Sequence, residues 1–366
     1  MFERRLVSHL DWLLVAAVLA LSAVGLAMIY STTYDVIRGR VGPQFVTQGY
    51  ALGLGLLAMV ICLVVDYRQL AERSLLIYAA LALTLVYVLV FGVVRGGSRR
   101  WIDLGPMNVQ PSEFAKMGLA LVLATFFSEN RHGAREWRDL FVGALFLGVL
   151  AGLVAKEPDL GTAVTLAVIF LGSAFAAGLP FRLLGVLALV GALTAPVAWS
   201  FALKDYQRSR IQTFLDPEQD ARGAGYQQIQ ARITVGSGGF AGKGYLQGTQ
   251  GQYKFLPVAH NDFIYSVLAE ELGFVGVLAT LGLYLVVILR SLDAAKLAKD
   301  RLGAFLVVGL LSGFSFQVVY NIAMSAGLAP VKGLTLPLMS YGGSSIIATL
   351  ASFGLILNVR MRRFTN

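Results

Sequence analysis

The chain has 366 residues, of which 57% are hydrophobic and only 14% are charged, whereas soluble proteins carry about 25% charged residues. This balance excludes an ordinary soluble domain, and the continuous apolar runs exclude a membrane β-barrel, whose strands would show short alternating segments. The net charge of +9 does not indicate a nucleic-acid partner, because the basic residues of a membrane protein must first be assigned to the two membrane surfaces.

Ten apolar runs predict membrane-spanning helices, since about 20 apolar residues are needed to cross a bilayer. The first run is too long for a cleavable signal peptide and lacks a small-residue cleavage site. The predicted fold class is an all-α polytopic membrane protein, with one membrane domain over residues 1–366. The predicted spans are 12–30, 45–65, 75–94, 114–127, 140–154, 160–177, 183–202, 263–289, 302–326 and 345–359.

Basic residues are distributed unevenly between the two sides of these spans. The segments on the amino-terminal side hold about twice as many Lys and Arg residues as the short loops on the other side. Because basic residues accumulate on the cytoplasmic side, both termini are predicted to face the cytoplasm, in agreement with an even number of spans. The large loop between predicted helices 7 and 8, residues 203–261, is then extracytoplasmic, as is Asp262 directly after it.

The fourth predicted span begins with QPSEFAK, residues 110–116. Pro111 suits the first position of a helix and Glu113 the third, where a carboxylate meets free backbone N–H groups. Glu113 and Lys116 are three residues apart and share a face. They form either a local ion pair in a capped helix or part of a polar cavity in which Lys116 faces an anion, because charges inside spans usually face the bundle interior.

Two further polar segments allow alternative interpretations. Asp159 follows Pro158 in a break between the fifth and sixth spans, where it caps a helix, serves a site or does both. Arg208 and Arg210 lie at the start of the outer loop. They clamp phosphate groups, which guanidinium binds in a bidentate manner, or they neutralise lipid headgroups. These alternatives stay open at the level of sequence.

The stretch 243–273, KGYLQGTQGQYKFLPVAHNDFIYSVLAEELG, combines many polar residues with the start of an apolar run. A span that began directly after Asp262 would bury Glu270 and Glu271 about 12 Å deep, which is costly for carboxylates. Residues 260–268 are therefore predicted to form a helix that projects above the bilayer or walls a polar cavity. Asp262 then faces outward as a helix cap, a metal ligand or a general base.

Several segments together resemble one family. RRWIDLG, QPSEFAK, EPDLGTA, DYQRSR, DPEQDARGAGYQ, GSGGFAGKG, FLPVAHNDFIYSVLAEELG and LPLMSYGGSS occur in the order and membrane setting of the SEDS family (shape, elongation, division and sporulation). The resemblance covers nearly the whole chain. The GTQ segment before FLP and the short amino-terminal tail are similar to the members that act in cell elongation rather than division.

The resemblance implies a ten-span peptidoglycan glycosyltransferase of the bacterial cytoplasmic membrane. It polymerises lipid II, a disaccharide-pentapeptide on undecaprenyl pyrophosphate, at the outer face of the membrane. Implied partners are a class B penicillin-binding protein that acts as transpeptidase, other elongation-complex proteins and membrane lipid. The family's essential aspartate falls on Asp262, with Asn261 where Thr is usual and Val258 where Glu is common. The implied substrate-binding residues are Lys116, Glu113, Arg100, Asp159, Arg208, Arg210 and Lys243.

The implied chemistry needs one base. An α-linked donor and a β-1,4 product require inversion, so a single displacement uses Asp262 to take the proton from the acceptor 4-hydroxyl. The pyrophosphate leaves as an anion that needs cationic stabilisation, for which Lys116, Arg208, Arg210 and Lys243 are candidates. The sequence establishes no cofactor and leaves a Mg²⁺ or Mn²⁺ ion open. The alternative functions are a lipid II flippase or transporter, and a scaffold that only activates a transpeptidase.

Overall fold

The computed structural model describes residues 9–35, 39–95, 98–105, 107–130, 134, 136–183, 185–186, 189, 193, 205–220, 223–253 and 255–364. Its α-helices are α1 (Trp12–Thr33), α2 (Pro43–Val64), α3 (Tyr67–Glu72), α4 (Ser74–Phe91), α5 (Pro111–Glu129), α6 (Trp137–Lys156), α7 (Leu160–Ala176), α8 (Asp205–Leu215), α9 (Ala224–Ser237), α10 (Thr249–Gln252), α11 (Ile264–Lys296), α12 (Arg301–Ser325) and α13 (Gly343–Met361). Its short strands are β1 (Tyr34–Asp35), β2 (Arg40–Val41), β3 (Val93–Arg95), β4 (Ser98–Asp103) and β5 (Asn108–Val109).

The chain is an all-α polytopic membrane protein, as the sequence predicts. Within the described ranges, seven helices are long and apolar enough to cross a membrane, namely α1, α2, α4, α6, α11, α12 and α13. Helix α7 is apolar but shorter, and α5 carries Glu113 and Lys116 in its first two turns. The seventh predicted span, 183–202, lies mostly outside the described residues, as does the beginning of the predicted loop 203–261.

Helix α13 is the most enclosed of the candidate spans and packs along α2. Small residues allow this close approach. A Cβ added to Gly354 would lie 2.4 Å from the carbonyl oxygen of Met59, and one added to Gly55 would lie 2.7 Å from Leu350 Cδ1. Since apolar side chains gain little from leaving lipid, helices in membranes associate largely through such close van der Waals contact. Helix α12 packs against α5 and α7 and joins the candidate site to this core.

Both ends of the described chain lie at one end of the bundle. Asp11 caps α1 by accepting a hydrogen bond from Leu14 N at 3.2 Å. Its Oδ2 lies 2.9 Å from Arg290 Nε, near the end of α11, and 2.6 Å from Arg360 Nη1, near the end of α13. A chain with both termini on one side of the membrane, as the charge distribution predicts, brings its two ends together in this way.

Helix α11 is interrupted at Gly273, where φ is +63°. The loop after α9 inserts at this break: Gly244 N donates to Glu271 O at 3.0 Å, and Phe274 N donates to Gly239 O at 3.0 Å. A Cβ on Gly273 would lie 2.2 Å from Gly242 N, so only glycine fits this contact. The turns before the break are thus set apart from the apolar run, as the cost of buried carboxylates indicates, but the helix predicted over 260–268 begins only at Ile264.

Candidate active site

Asp262 lies at the opposite end of the bundle from the chain ends, two residues before α11. The N-cap position of α11 is taken by Phe263 rather than by Asp262, so helix capping does not account for this carboxylate. The backbone of Asp262 is held on both sides: its N–H donates to Val258 O at 3.3 Å, and its carbonyl oxygen accepts from Asn321 Nδ2 at 2.9 Å. The side chain is therefore presented from a fixed turn.

That turn contains a strained residue. Val258 has φ +53°, a left-handed conformation that is an outlier for a β-branched residue and costs about 1–3 kcal/mol. The following residues curl back so that His260 O accepts from Tyr341 N at 2.9 Å, and the two rings meet edge to face at 5.5 Å. The strain is thus offset by contacts with the segment before α13.

Burial raises the pKa of Asp262 to about 6, and the positive charge of Arg210 acts in the opposite direction. Gly333 adjoins the carboxyl, since a Cβ on Gly333 would lie 3.6 Å from Asp262 Oδ2. Its neighbour Lys332 has a pKa lowered by burial and by the charge of Arg210, and its Nζ lies 5.6 Å from the centroid of the Tyr320 ring. We call the space around Asp262, Arg210, Lys332, Gly333 and Tyr320 the Asp262 compartment. These five residues contribute one carboxyl group and two cationic side chains.

Glu113 and Lys116 form the ion pair that their spacing predicts, with Lys116 Nζ 2.9 Å from Glu113 Oε2. Lys116 also donates to Gln317 Oε1 at 3.1 Å. Gln317 and Asn321 are four residues apart on one face of α12, about 6 Å along the helix axis. Lys116 therefore lies about one helical turn from the backbone of Asp262, along the same face of α12.

The cavity beside this ion pair is small. Glu113, Lys116 and Gln317 line a space of about 40 Å³ together with apolar side chains of α12 and α13. Ligand pockets usually measure about 300–1,000 Å³. This space is therefore too small for a lipid-linked sugar.

Arg100 and Asp159 organise the ends of two neighbouring helices. Asp159 caps α7 by accepting from Thr162 N at 3.1 Å, as the sequence predicts, and also accepts from Gln110 Nε2 at 3.0 Å, just before α5. Arg100 Nε donates to the carbonyl oxygen of Glu157 at 2.7 Å, and its Nη1 lies 3.8 Å from Asp159 Oδ2. These contacts bring β4, α5 and α7 together.

This group adjoins the loop that carries Lys332. A Cβ on Gly161, in the first turn of α7, would lie 3.4 Å from the carbonyl oxygen of Lys332. Asn321 donates to Leu334 O at 2.7 Å as well as to Asp262. The loop 330–335 therefore lies between the Arg100–Asp159 pair and the Asp262 compartment.

Lys243 lies in a different environment. Its Nζ is 2.6 Å from Glu270 Oε1 and 2.9 Å from Thr249 Oγ1, so it secures the loop that packs on the first turns of α11. Arg208 and Arg210 are two residues apart on α8 and point to different sides of it. Of these three predicted cations, Arg210 is the one whose charge acts on Asp262.

The described residues do not form a resident metal site. Among them no group of three or more His, Cys, Asp or Glu side chains could hold a metal ion. Asp262 has Arg210 as a cationic neighbour, whose charge disfavours a divalent ion beside it. The Mg²⁺ or Mn²⁺ ion that the sequence leaves open is therefore assigned no step.

Comparison with known proteins decides the family. The model of the family that covers FtsW, RodA and SpoVE, described as "Cell cycle protein", matches residues 11–364. The chain belongs to this family. It is the SEDS family that the sequence segments resemble, and the match spans nearly the whole chain.

Curated relatives of this SEDS chain share its full length. Peptidoglycan glycosyltransferase MrdB of Escherichia coli is 37% identical over 358 residues, which are 97% of this chain and 94% of the relative. Probable peptidoglycan glycosyltransferase FtsW of Thiomicrospira cyclica is 38% identical, over 96% of this chain and 91% of the relative. Peptidoglycan glycosyltransferase RodA of Treponema pallidum is 31% identical, over 98% of this chain and 99% of the relative.

Solved SEDS structures agree with this fold. One chain is 38% identical, with a TM-score of 0.85, and covers 98% of this chain and 99% of its own length. Its structure is described as "Structural coordination of polymerization and crosslinking by a peptidoglycan synthase complex". The crystal structure of rod shape determining protein RodA from Thermus thermophilus is 33% identical, with a TM-score of 0.72 and 98% coverage of both chains.

Sequence reasoning missed three residues of this SEDS site: Lys332, Gln317 and Asn321. In the sequence, Lys332 is one more basic residue of a short predicted outer loop. Gln317 and Asn321 stand four residues apart in an otherwise apolar helix, and polar side chains at helical spacing inside a span are a signal for a shared polar face. Lys332 carries no comparable signal, because Arg210, whose charge acts on it, is remote in sequence.

Proposed function

We propose that this chain is a peptidoglycan glycosyltransferase that polymerises lipid II into β-1,4 glycan strands at the outer face of the bacterial cytoplasmic membrane. The observation that carries the proposal is the Asp262 carboxyl, whose pKa burial raises to about 6 within reach of the Arg210 charge. A base works best when its pKa is near the working pH, and cations are needed where a pyrophosphate leaves. The names of the relatives support the same activity.

In the proposed reaction, the Asp262 carboxylate takes the proton of the acceptor 4-hydroxyl. The acceptor oxygen forms its bond to the anomeric carbon of the donor while the bond from that carbon to the pyrophosphate oxygen breaks. The configuration inverts, and the electron pair of the broken bond leaves on undecaprenyl pyrophosphate. A general base of this kind contributes about 10²–10⁴ in rate.

The leaving anion is stabilised by positive charge in the Asp262 compartment. The charge of Arg210 acts both on Asp262 and on Lys332, and charges that are already in place act without reorganisation. Lys116 is a third cation. It hydrogen-bonds Gln317 on the same face of α12 that carries Asn321. In this proposal Glu113, Arg100 and Asp159 position α5 and α7 for substrate, and Arg208 contacts headgroup phosphate. Lys243 has a positioning role through Glu270.

We further propose that the enzyme acts in cell elongation, with both termini in the cytoplasm and a class B penicillin-binding protein as partner. The elongation role is supported by the likeness to proteins named MrdB and RodA. The partner is supported by the described joint polymerisation and crosslinking of the structural neighbour. Asp11, Arg290 and Arg360 lie together at one end of the bundle. This grouping agrees with a cytoplasmic surface rich in basic residues.

The test is polymerisation of labelled lipid II by purified protein, with and without the transpeptidase. Asp262→Asn is expected to lower the rate by about 10²–10⁴ and to leave thermal unfolding in detergent intact. Asp216→Asn, at an exposed carboxylate just after α8, is the matched control and retains the wild-type rate. Normal polymerisation by Asp262→Asn would overturn the base assignment. Movement of lipid II across vesicles without polymer would favour the flippase alternative.

A further inference from the structure

A second, larger cavity opens at the same end of the bundle as Asp262. Its volume is about 980 Å³, at the upper end of the range of about 300–1,000 Å³ for ligand pockets. One wall is formed by the end of α1, the β1–β2 hairpin and the start of α2, and the other by residues 251–260. The lining residues are Thr32, Thr33, Tyr34, Asp35, Arg40, Val41, Gly42, Gln44, Gly251, Gln252, Tyr253, Leu256, Pro257, Val258, Ala259 and His260.

The described lining of this cavity combines apolar side chains with polar ones, and the formal charges of its described acidic and basic residues cancel. Asp35 and Arg40 are opposite in sign and face each other across the hairpin. Burial lowers the pKa of His260, so its imidazole is neutral at pH 7. The remaining polar groups are hydroxyls and amides of Thr, Tyr and Gln residues, which donate and accept hydrogen bonds without charge.

Tyr253 adds an aromatic surface at this cavity, and its side chain is 70% exposed. Tyr34, in the opposite wall, stacks on Tyr30 with ring centroids 5.8 Å apart, which leaves it rigidly placed. The face of an aromatic ring is electronegative and attracts the positive edges of C–H groups. A saccharide presents such C–H groups on its ring faces and hydroxyl and amide groups around its rim.

The segment 258–262 separates this cavity from the Asp262 compartment. Val258 and His260 line the large cavity, whereas Asp262, two residues further, lies with Arg210, Gly333 and Lys332. One side of the turn therefore suits a neutral polyhydroxyl ligand, and the other suits an anion.

We propose that the large cavity binds neutral sugar rings of the glycan strand, a β-1,4-linked N-acetylated saccharide, while the pyrophosphate occupies the Asp262 compartment. This inference rests on the proposed function and assigns the two sides of the turn to two parts of its substrates. Tyr253 stacks on a sugar ring, and Thr33 and Gln44 hydrogen-bond its substituents. A strand that is held here stays bound between additions, so the site promotes long products.

The experiment measures binding of a β-1,4-linked tetrasaccharide of N-acetylated hexosamines, which carries neither lipid nor phosphate, to the full-length protein in detergent. Tyr253→Ala is expected to weaken binding about tenfold, and its exposed position keeps the fold intact. Tyr50→Ala, at a tyrosine of α2 that is 72% exposed and outside the cavity lining, is the matched control. Asp262→Asn is expected to bind the tetrasaccharide as the wild type does.

Glycan length is the second measurement. With labelled lipid II, Tyr253→Ala is expected to make shorter strands, whereas Tyr50→Ala makes strands of normal length. Wild-type protein that polymerises but shows no tetrasaccharide binding, or binding that Tyr253→Ala leaves unchanged, overturns the saccharide site and leaves the proposed function standing. Tetrasaccharide binding without polymerisation by the wild type overturns the proposed function and retains the cavity as a saccharide site.

Discussion

Lys243 and Glu270 form an ion pair in which Nζ lies 2.6 Å from Oε1. Glu270 is fully buried, and the same oxygen accepts from Thr249 N at 2.9 Å and from Gln250 N at 3.2 Å. The contact binds the loop after α9 to the first turns of α11. A lysine that the resemblance assigns to substrate is thus engaged in holding the turns that follow Asp262.

Replacing Lys243 by Met leaves the buried Glu270 carboxylate without its cation. Because breaking one side of a buried pair costs about 3–5 kcal/mol, and the remaining N–H donors offset part of this, we expect a loss of about 2 kcal/mol in the free energy of unfolding. The double variant Lys243→Met/Glu270→Gln removes the unpaired charge and is expected to recover most of the loss. Thermal unfolding in detergent checks both. Unchanged stability with lost activity would instead place Lys243 in contact with substrate.

Removing the charge of Arg210 is expected to shift the pH dependence of polymerisation. Burial raises the pKa of Asp262 to about 6, and Arg210 opposes that rise. Since the base must be ionised, the wild-type rate falls as pH drops through about 6. Arg210→Gln raises the pKa further and moves this acid limb to higher pH, in addition to lowering the maximal rate. The control is Arg182→Gln, at an exposed residue beyond the far end of α7. An acid limb that stays in place contradicts the assignment.

Substituting Gly273 by Ala is expected to disrupt the break in α11. The position has φ +63°, and the new Cβ would lie 2.2 Å from Gly242 N, a backbone atom that cannot move aside cheaply. We expect a loss of at least about 2 kcal/mol. Gly282→Ala in the same helix meets nothing within 4 Å and is expected to be neutral or to stabilise by up to about 1 kcal/mol. Equal melting temperatures for the two variants would argue against the docking of the loop at Gly273.

Glu157 is expected to make the stability of the protein depend on pH. It is 1% exposed, neither carboxyl oxygen has a hydrogen-bond partner among the residues that the structure describes, and burial raises its pKa to about 8. Because the folded-state pKa exceeds the ordinary value of 4.5, ionisation disfavours folding, and stability declines as pH rises from about 4.5 to about 8.

Glu157→Gln removes this decline, so the variant is expected to be more stable than the wild type at pH 8 and similar to it at pH 4. Glu72→Gln, at an exposed carboxylate that ends α3, is the control and leaves the slope unchanged. Chemical denaturation at a series of pH values measures the slope of stability against pH. The same slope in Glu157→Gln and wild type would contradict a buried, protonated Glu157.

Several features could be predicted from patterns that are local in the sequence. The ion pair of Glu113 and Lys116 follows from helical spacing, and the cap by Asp159 follows from the break that precedes α7. The cost of carboxylates inside a span indicates that the turns with Glu270 and Glu271 are set apart from the apolar run, whereas the break at Gly273 itself is a finding of the structure. Each of these depends on residues that are close in sequence, where backbone geometry limits the arrangements.

The sequence by itself determined the membrane architecture, because every span must satisfy its own backbone and shield it with apolar side chains. It also singled out Asp262 as a carboxyl beside an apolar run. Only the tertiary structure decided which of the predicted cations acts on that carboxyl: the charge of Arg210 reaches it, whereas Lys243 pairs with Glu270. Helix packing sets such long-range neighbours through shape and contact across the whole bundle, which no local pattern encodes.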